Sequence, residues 1–383
     1  MLKRTRSFLV LVMLLMTVTM SAQVTTATMS GKVTAQDEPI IGATIVAIHE
    51  PSGTRYGTVT NVSGQFNLQG MRTGGPYKVE ISYVGYQTAI YKGINLLLGE
   101  NYVLNVSLKE SSELLDEVVV TASKESNMKS DRAGAIMNAN RDMISNTPTI
   151  SRSISDIMRL SPQGADVGNG FAVGGGNYRQ SFVTVDGAAF NNTFGLGGNL
   201  PANGSPISLD ALEQVTVAVT PFDVRQSGFT GGAINAVTRS GDNQFRGTAY
   251  MYFNNENLKG SKVDDYELLR SKAQYYTYGA SFGGPIIKDK LFFFVNGEYE
   301  DNVTAGSNYR PRTALGESYS GGNIHRPLQS DMDDMRGFLL NKYNFDPGKY
   351  NDYSTDTPAY RVMARVDWNA NQNNKVSFRF TKT

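Results

Sequence analysis

The 383-residue sequence contains no cysteine. That absence excludes disulfides, thiolate catalysis and cysteine-held metal. Histidine is scarce, at His49 and His325 only. Two histidines so far apart in sequence make no metal site, and no H-E-x-x-H occurs. A serine triad needs a histidine base. His49 falls at the end of a predicted strand and His325 in a predicted outer loop, so they share no active site. No catalytic residue, metal or cofactor is assigned, and the chain reads as a non-enzyme. A dominant charge is missing too: the net charge is +1, so no broad field draws nucleic acid. Beyond the N-terminus no segment has eighteen uninterrupted apolar residues, so any later membrane crossing falls to strands. The glycines of Gly170–Gly176 lack the G-x-G-x-x-G spacing, and no G-x-x-x-x-G-K-[ST] occurs, which argues against a phosphate cradle. Asp264-Asp265 and Asp331-Met332-Asp333-Asp334 lack the glycine and glutamate spacing of a calcium loop and read as solvated loop charges.

What the chain does have is alternation. Tyr360, Val362, Ala364, Val366 and Trp368 alternate with Arg361, Met363, Arg365, Asp367 and Asn369. A period of two puts an apolar set on one face of a strand and a charged set on the other. Val376, Phe378 and Phe380 repeat the pattern against Lys375, Ser377, Arg379 and Thr381. Leu291, Phe293, Val295 and Tyr299 alternate with Asn296, Glu298 and Glu300, although Phe292 and Phe294 interrupt the polar set. Tyr276, Tyr278, Ala280 and Phe282 form another such face, as do Phe245, Ala249, Met251 and Phe253. The connections Gly283–Asp289 and Ala370–Asn374 are short, whereas Asn255–Lys272 and Asn302–Thr357 are long. Short turns on one side and long loops on the other, with aromatics near strand ends, predict the start of a transmembrane β-barrel. A soluble β-sandwich is the alternative. Five such strands cannot close, so the expectation is the N-terminal part of a larger barrel.

The N-terminus has the form of a secretory signal peptide over residues 1–22. Lys3, Arg4 and Arg6 precede the apolar run Phe8–Met20 and the small residues Ser21-Ala22. Residues 27–110 read as a β-sandwich of roughly seven strands, with runs at Met29–Thr34, Ala43–His49, Phe66–Leu68, Tyr77–Tyr83 and Tyr102–Leu108. Turns are expected at Asp37-Glu38-Pro39, Pro51-Ser52-Gly53, Ser63-Gly64 and Gly74-Gly75-Pro76. Residues 111–123 bring Asp116 and Glu117 before Val118, Val119, Val120, Thr121 and Ala122. Such a segment is fit to pair with another strand edge, or to be the first strand of the next domain. Residues 124–240 read as a glycine-rich α+β region with a helix over Ile150–Leu160 and strands at Phe182–Val185, Val215–Val219 and Gly232–Thr238.

Taken in this order, the parts resemble a TonB-dependent outer-membrane receptor. The N-terminal sandwich is similar to a carboxypeptidase-regulatory-like domain, at Ser30-Gly31-Lys32-Val33, Pro39–Ile45, Thr60–Leu68 and Val79–Tyr86. Asp116–Ala122 is similar to a TonB box. Gln180–Asn192, with Val185, Asp186 and Gly187, and Pro221–Gly241, with Gly228, Gly231, Gly232 and Asn235, resemble the plug of these receptors. Pro221–Gly241 looks more Oar-like than SusC-like. The resemblance implies a mainly β chain: an Ig/transthyretin-like, carbohydrate-binding-like sandwich, an α+β plug at 124–240, and from 241 to 383 the first strands of a truncated barrel of about 22 strands. It also implies TonB and its inner-membrane energising complex as partners, outer-membrane lipid around the strands, and a large ligand carried inward or outward. Peptide, glycan, siderophore and exported protein all fit as cargo. The alternative from the residues is a secreted β-sandwich adhesion or scaffold protein. A secreted peptidase lacks the motifs it would need.

Overall fold

From Ala27 onward the first strand buries Ala27, Met29, Val33 and Ala35 and leaves Thr28, Ser30 and Lys32 toward solvent. That alternation recurs along the N-terminal strands and makes a core between two sheets. The computed structural model describes residues 25–110, 118–121, 135–149, 152–168, 170–192, 198, 200–219, 229–258, 260, 262–264, 266–267, 272–306, 309–319, 324–351, 353–371 and 374–383. The signal-peptide segment lies outside them.

The N-terminal strands are β1 (Ala27–Ala35), β2 (Glu38–Pro39), β3 (Thr44–His49), β4 (Thr54–Val59), β5 (Gln65–Met71), β6 (Gly74–Ser82), β7 (Ala89–Leu96), β8 (Asn101–Val103) and β9 (Val106–Ser107). One sheet has the order β2-β1-β5, with β8 and β9 parallel to β1. The other runs β7-β6-β3-β4, and β10 (Val118–Thr121) extends it beside β7. Val79 and Ile81 of β6 lie beside Ala47 and Ile45 of the neighbouring β3, and with Tyr77 they belong to one buried cluster.

Several expectations are corrected here. Gly74-Gly75-Pro76 is not a turn but the start of β6, with Gly74 opposite Leu96. Tyr102–Leu108 is two short pieces rather than one strand, although Leu104, Val106 and Leu108 are buried as expected. Of the two readings of Val118–Thr121, the structure has the first: it pairs with a strand edge, that of β7 in the sandwich, and does not open the next sheet.

A central sheet follows. Its strands are β11 (Ile136–Asn140), β14 (Phe182–Val185), β15 (Ala188–Ala189), β16 (Leu212–Ala218) and β17 (Ala233–Thr238), and its order is β11-β16-β17-β14-β15. A small pair, β12 (Gly164–Asp166) and β13 (Phe171–Val173), lies between β11 and β14 in the chain. Helix α1 (Arg141–Asn146) is capped by the Asn140 side chain, which accepts from Met143 N. Helix α2 (Ile154–Met158) is shorter than the expected Ile150–Leu160; Ile150 lies outside the described residues. The Ser153 amide donates to Asp156 Oδ2 at 3.3 Å, which starts the helix there. Ile154, Ile157 and Met158 bury against β16 and β17 residues such as Val215 and Ile234.

The C-terminal sheet has the order β18-β21-β22-β26-β27. These strands are β18 (Arg246–Asn255), β21 (Gln274–Ile287), β22 (Leu291–Ala305), β26 (Ala359–Asn369) and β27 (Lys375–Lys382). All five strands expected from alternation are present. The β21–β22 turn is tighter than expected, because β21 continues to Ile287. The long connections hold β19 (Lys262–Val263) and β20 (Tyr266–Glu267), then β23 (Arg310–Arg312), β24 (Ile324–Leu328), helix α3 (Gln329–Tyr343) and β25 (Ser354–Asp356). Asp331, Asp333 and Asp334 sit on α3, not on irregular loop.

Burial on β22 and β26 is inverted relative to the sandwich. On β22, Asn296, Glu298 and Glu300 are buried while Val295 and Tyr299 are exposed. On β26, Arg361 and Arg365 are 2% and 6% exposed, whereas Tyr360, Val362 and Trp368 are 44–50% exposed. Polar side chains inside and apolar ones outside suit a sheet whose outer face meets lipid. Phe292 and Phe294, which interrupt the polar set, are buried; Phe294 joins the core of the central sheet. They turn toward protein, not lipid.

The chain forms two compact units, one of residues 1–247, 281–296 and 362–383, the other of residues 248–280 and 297–361.

Candidate functional site

Within the first unit, the Val185-Asp186-Gly187 turn builds an ion network. Val185 pairs with Ala188, so Asp186 and Gly187 are the two residues of a hairpin loop. Both have positive φ, +50° and +84°, the conformation that an Asp-Gly hairpin turn provides. The turn aims the Asp186 carboxylate at the end of β17. Thr238 N donates to Asp186 Oδ1 at 3.1 Å, and the Thr238 hydroxyl donates to Oδ2.

Two arginines of the C-terminal sheet converge on the same place. Arg365 Nη1 donates to the Thr238 carbonyl and lies 4.0 Å from Asp186 Oδ1. Arg379 Nε lies 3.5 Å from Asp186 Oδ2. Arg365 also forks onto Asp367, with Nε and Nη2 at 2.8 and 3.1 Å from the two carboxylate oxygens. The hydroxyls of Ser240 and Ser377 donate to Asp367. Two carboxylates thus meet two guanidiniums. Such a cluster joins the central sheet to β26 and β27 by charge, so it is strong when complete and costly when one member is removed.

The remaining singled-out glycines act by close approach. A Cβ on Gly232 would sit 2.5 Å from Val173 Cγ1 and 3.1 Å from the Ala218 carbonyl. Gly231 N donates to the Gln180 carbonyl. Asn235 Oδ1 accepts from the Thr184 hydroxyl at 2.7 Å and ties β17 to β14. Gly228 lies outside the described residues, as do Asp116, Glu117 and Ala122. The structure therefore brings Asp186, Gly231, Gly232 and Asn235 to one sheet but leaves Val118–Thr121 on the sandwich.

The sandwich is held to the central sheet through Gln214 of β16. Leu98 N donates to Gln214 Oε1 at 2.8 Å, and Gln214 Nε2 donates to the Leu96 carbonyl at 3.1 Å. Asn138 Nδ2 donates to Glu100 Oε1. Arg72 donates to the Gly241 carbonyl at 3.2 Å, and Asn369 Nδ2 to Thr54 Oγ1 at 3.0 Å. A cavity of about 170 Å³ lies among these contacts, lined in part by His49, Tyr56, Arg72, Asp367 and Arg379.

His49 is a core residue of the sandwich. Its Nδ1 lies 2.7 Å from Ser52 Oγ, and its ring packs edge-on to Tyr77. Burial, with Arg72 nearby, lowers its imidazole from the usual 6.5 to about 3. His325 instead packs against the Tyr309 ring in the second unit. In that unit Arg361 donates to Glu298 and Glu300 at 2.8 and 2.6 Å, and Tyr250 donates to Glu298. Among the described residues, no group of three or more His, Asp or Glu side chains is placed to hold a metal ion.

Sequence reasoning missed Gln214, Ser240, Arg365, Asp367 and Arg379 as site residues. Arg365, Asp367 and Arg379 carried a signal, being charges on faces already read as opposite to lipid. Gln214 carried none.

The carboxypeptidase regulatory-like domain model matches residues 28–109, and the outer membrane beta barrel domain model matches residues 237–383. The TonB-dependent transporter Oar of Myxococcus xanthus is 27% identical over 240 residues, which are 61% of this chain and 21% of that protein. The TonB-dependent receptor SusC of Bacteroides thetaiotaomicron is 29% identical over 269 residues, 66% of this chain and 24% of that protein. The chain thus spans between a fifth and a quarter of the length of these curated relatives. Solved structures that match include the siderophore receptor PirA of Acinetobacter baumannii, with TM-score 0.43 and 16% identity over 64% of this chain and 31% of that one. Another is a ferric enterobactin receptor (PfeA) mutant of Pseudomonas aeruginosa, with TM-score 0.44 and 15% identity over 65% and 32%.

Proposed function

We propose that this chain, an outer-membrane protein with a carboxypeptidase regulatory-like domain ahead of an outer-membrane β-barrel domain, works as part of a TonB-dependent receptor that moves a large ligand across the outer membrane. The observation that carries the reading is the inverted burial of the C-terminal sheet: Arg361 and Arg365 inside, Tyr360, Val362 and Trp368 outside. A soluble adhesion protein gains nothing by exposing that row, since its exposed apolar area costs free energy in water. The curated relatives named above are a transporter and a receptor, which supports a non-enzymatic role.

In this reading residues 124–240 are the plug, and the network of Asp186, Arg365, Asp367 and Arg379 fastens the plug to the inside of the barrel. Ligand binds from outside. TonB adds a strand to Asp116–Ala122 by main-chain pairing, and the inner-membrane proton gradient acts through it as a pull. The network sets what that pull must overcome, and glycine-rich plug segments are the natural place for local opening. No nucleotide site is needed.

The test is capture of the detergent-solubilised protein by the immobilised periplasmic domain of TonB. In the full-length receptor that contains this chain, deleting Asp116–Ala122 removes capture while heat-modifiable gel migration, the mark of an intact barrel, stays. Capture that survives the deletion overturns the TonB assignment. Recovery of the protein without detergent, with no heat-modifiable form, favours the secreted scaffold instead.

A further inference from the structure

The cavity of about 170 Å³ beside the sandwich gathers more positive charge than its surroundings neutralise. Arg72, between β5 and β6, and Lys375 of β27 both line it, and they meet at Tyr56. The Arg72 amide donates to the Tyr56 hydroxyl at 3.1 Å, and Lys375 Nζ lies 3.8 Å from the centre of the Tyr56 ring. The Arg72 guanidinium spends Nη2 on the Gly241 carbonyl and keeps its other N–H donors. Among the described residues, no carboxylate lies within ion-pair reach of Arg72 or Lys375. Arg379 lines the same space. Its Nε is buried, stands 3.5 Å from Asp186 Oδ2 and has no hydrogen-bond acceptor among the described residues. Arg72 and Arg365 both act on it as like charges.

The carboxylates nearby are already committed. Asp367 accepts from Arg365 Nε and Nη2 and from the Ser240 and Ser377 hydroxyls, which fills the roughly four acceptor positions of a carboxylate. Both oxygens of Asp186 are held by Thr238. Asp242 lies 3.6 Å from Arg246. Glu213 is offset by Arg141, the two acting on Arg239 with opposite sign. Asp186 and Asp367 balance Arg365 and Arg379. The charge left over is that of Arg72 and Lys375.

We propose that this cavity binds a phosphate group, held by Arg72, Lys375 and Arg379 where the sandwich meets β27. A phosphate monoester carries roughly −1.5 to −2 charge at pH 7, which matches two uncompensated cations. Guanidinium forks grip two phosphate oxygens, and an ammonium adds a point charge. A cleft lined mostly by one sign of charge focuses the field on a small anion. Trp368 and Val376, from the outward rows of β26 and β27, also line the cavity. Two sources therefore present the same chemistry: free phosphate, and the phosphate of a lipid headgroup at the ends of these strands. Arg72 and Tyr56 belong to the sandwich, Lys375 and Arg379 to β27. A bound phosphate ties the two together, and its loss leaves like charges pushing them apart. The site is independent of any part TonB plays.

Equilibrium dialysis of the full-length, detergent-solubilised receptor against labelled inorganic phosphate, at ionic strength held constant with chloride, tests the site. Saturable binding is expected, weakened about tenfold or more in R72Q and in K375Q, as for the loss of a hydrogen bond to a charged group. R72K and K375R should keep most of it. Lys375 is exposed, so K375Q reads the site even where R72Q disturbs the sandwich. Phosphate should also slow amide hydrogen exchange in peptides spanning Tyr56, Arg72 and Lys375–Arg379, and leave the peptide around Val84 unchanged. Binding of dihexanoylphosphatidylglycerol without binding of inorganic phosphate, with the same loss in K375Q, assigns the headgroup as the source. Saturable binding of neither probe overturns the proposal. So does binding that R72Q and K375Q both leave unchanged, or protection confined to other parts of the protein.

Discussion

Arg365 grips Asp367, two positions along the same strand, through Nε and Nη2 at 2.8 and 3.1 Å, and its remaining Nη1 reaches the Thr238 carbonyl of the central sheet. One side chain thus joins a local ion pair to a contact more than a hundred residues distant in sequence. Replacing Arg365 takes from Asp186 and Asp367 the guanidinium they share and leaves Arg379 beside them.

R365Q is expected to destabilise this junction by on the order of 3 kcal/mol, the cost of uncovering a buried charge. D367N neutralises one of the two carboxylates that R365Q leaves short of a cation. The R365Q/D367N double variant should therefore cost less than the sum of the singles, by about 1 kcal/mol. Amide hydrogen exchange at Thr184–Ala188 in the detergent-solubilised protein checks this. Additive costs would show that the pair is not coupled.

Q214A should loosen the sandwich from the central sheet. It leaves the Leu98 amide and the Leu96 carbonyl without their side-chain partner, a loss of about 1–3 kcal/mol. Faster exchange at Leu98, with unchanged exchange at Ile45 and Val79 in the sandwich core, is the expected pattern. Slowing or no change at Leu98 contradicts the latch.

His49 predicts a pH dependence of the sandwich. Its folded imidazole is lowered to about 3 from 6.5, so between those values the unfolded chain binds a proton that the folded chain refuses. The His49 contribution is fully present above about pH 6.5 and is lost as pH falls toward 3. Exchange protection of β3 and β6 should decline across that window in the native protein and decline less in H49Q. Parallel profiles for the two proteins would contradict it.

The C-terminal strands were legible because a period of two is local: Tyr360 to Trp368 announces its own two faces. The inward turn of Phe294 was not, since what draws it inward is the central-sheet core it joins; Phe292 is buried as well. Strand β7 escaped notice because Lys92 and Gly93 break its apolar run, and β4 because Thr54-Arg55-Tyr56-Gly57 is mostly polar. Gly74-Gly75-Pro76 has turn composition, yet its pairing to Leu96 makes it strand. Helix α3 buries none of its residues, so no amphipathic stripe marked it. The Asp186-Gly187 turn was visible as a motif, but its purpose depends on Thr238, Arg365 and Arg379. Those partners meet it only through the fold.

The central claim is that Tyr360, Val362 and Trp368 of β26 and Val376, Phe378 and Phe380 of β27 face hydrocarbon, and that the buried row of β26 does not. Single spin labels at positions 361, 362, 363, 365, 368, 376 and 378, one per variant of this cysteine-free chain, test it in outer-membrane vesicles. The account predicts oxygen-accessible, nickel-chelate-shielded signals at Val362, Trp368, Val376 and Phe378, and low oxygen accessibility at Arg361, Met363 and Arg365. Free access of the water-soluble nickel chelate to Val362, Trp368 and Phe378 would contradict it.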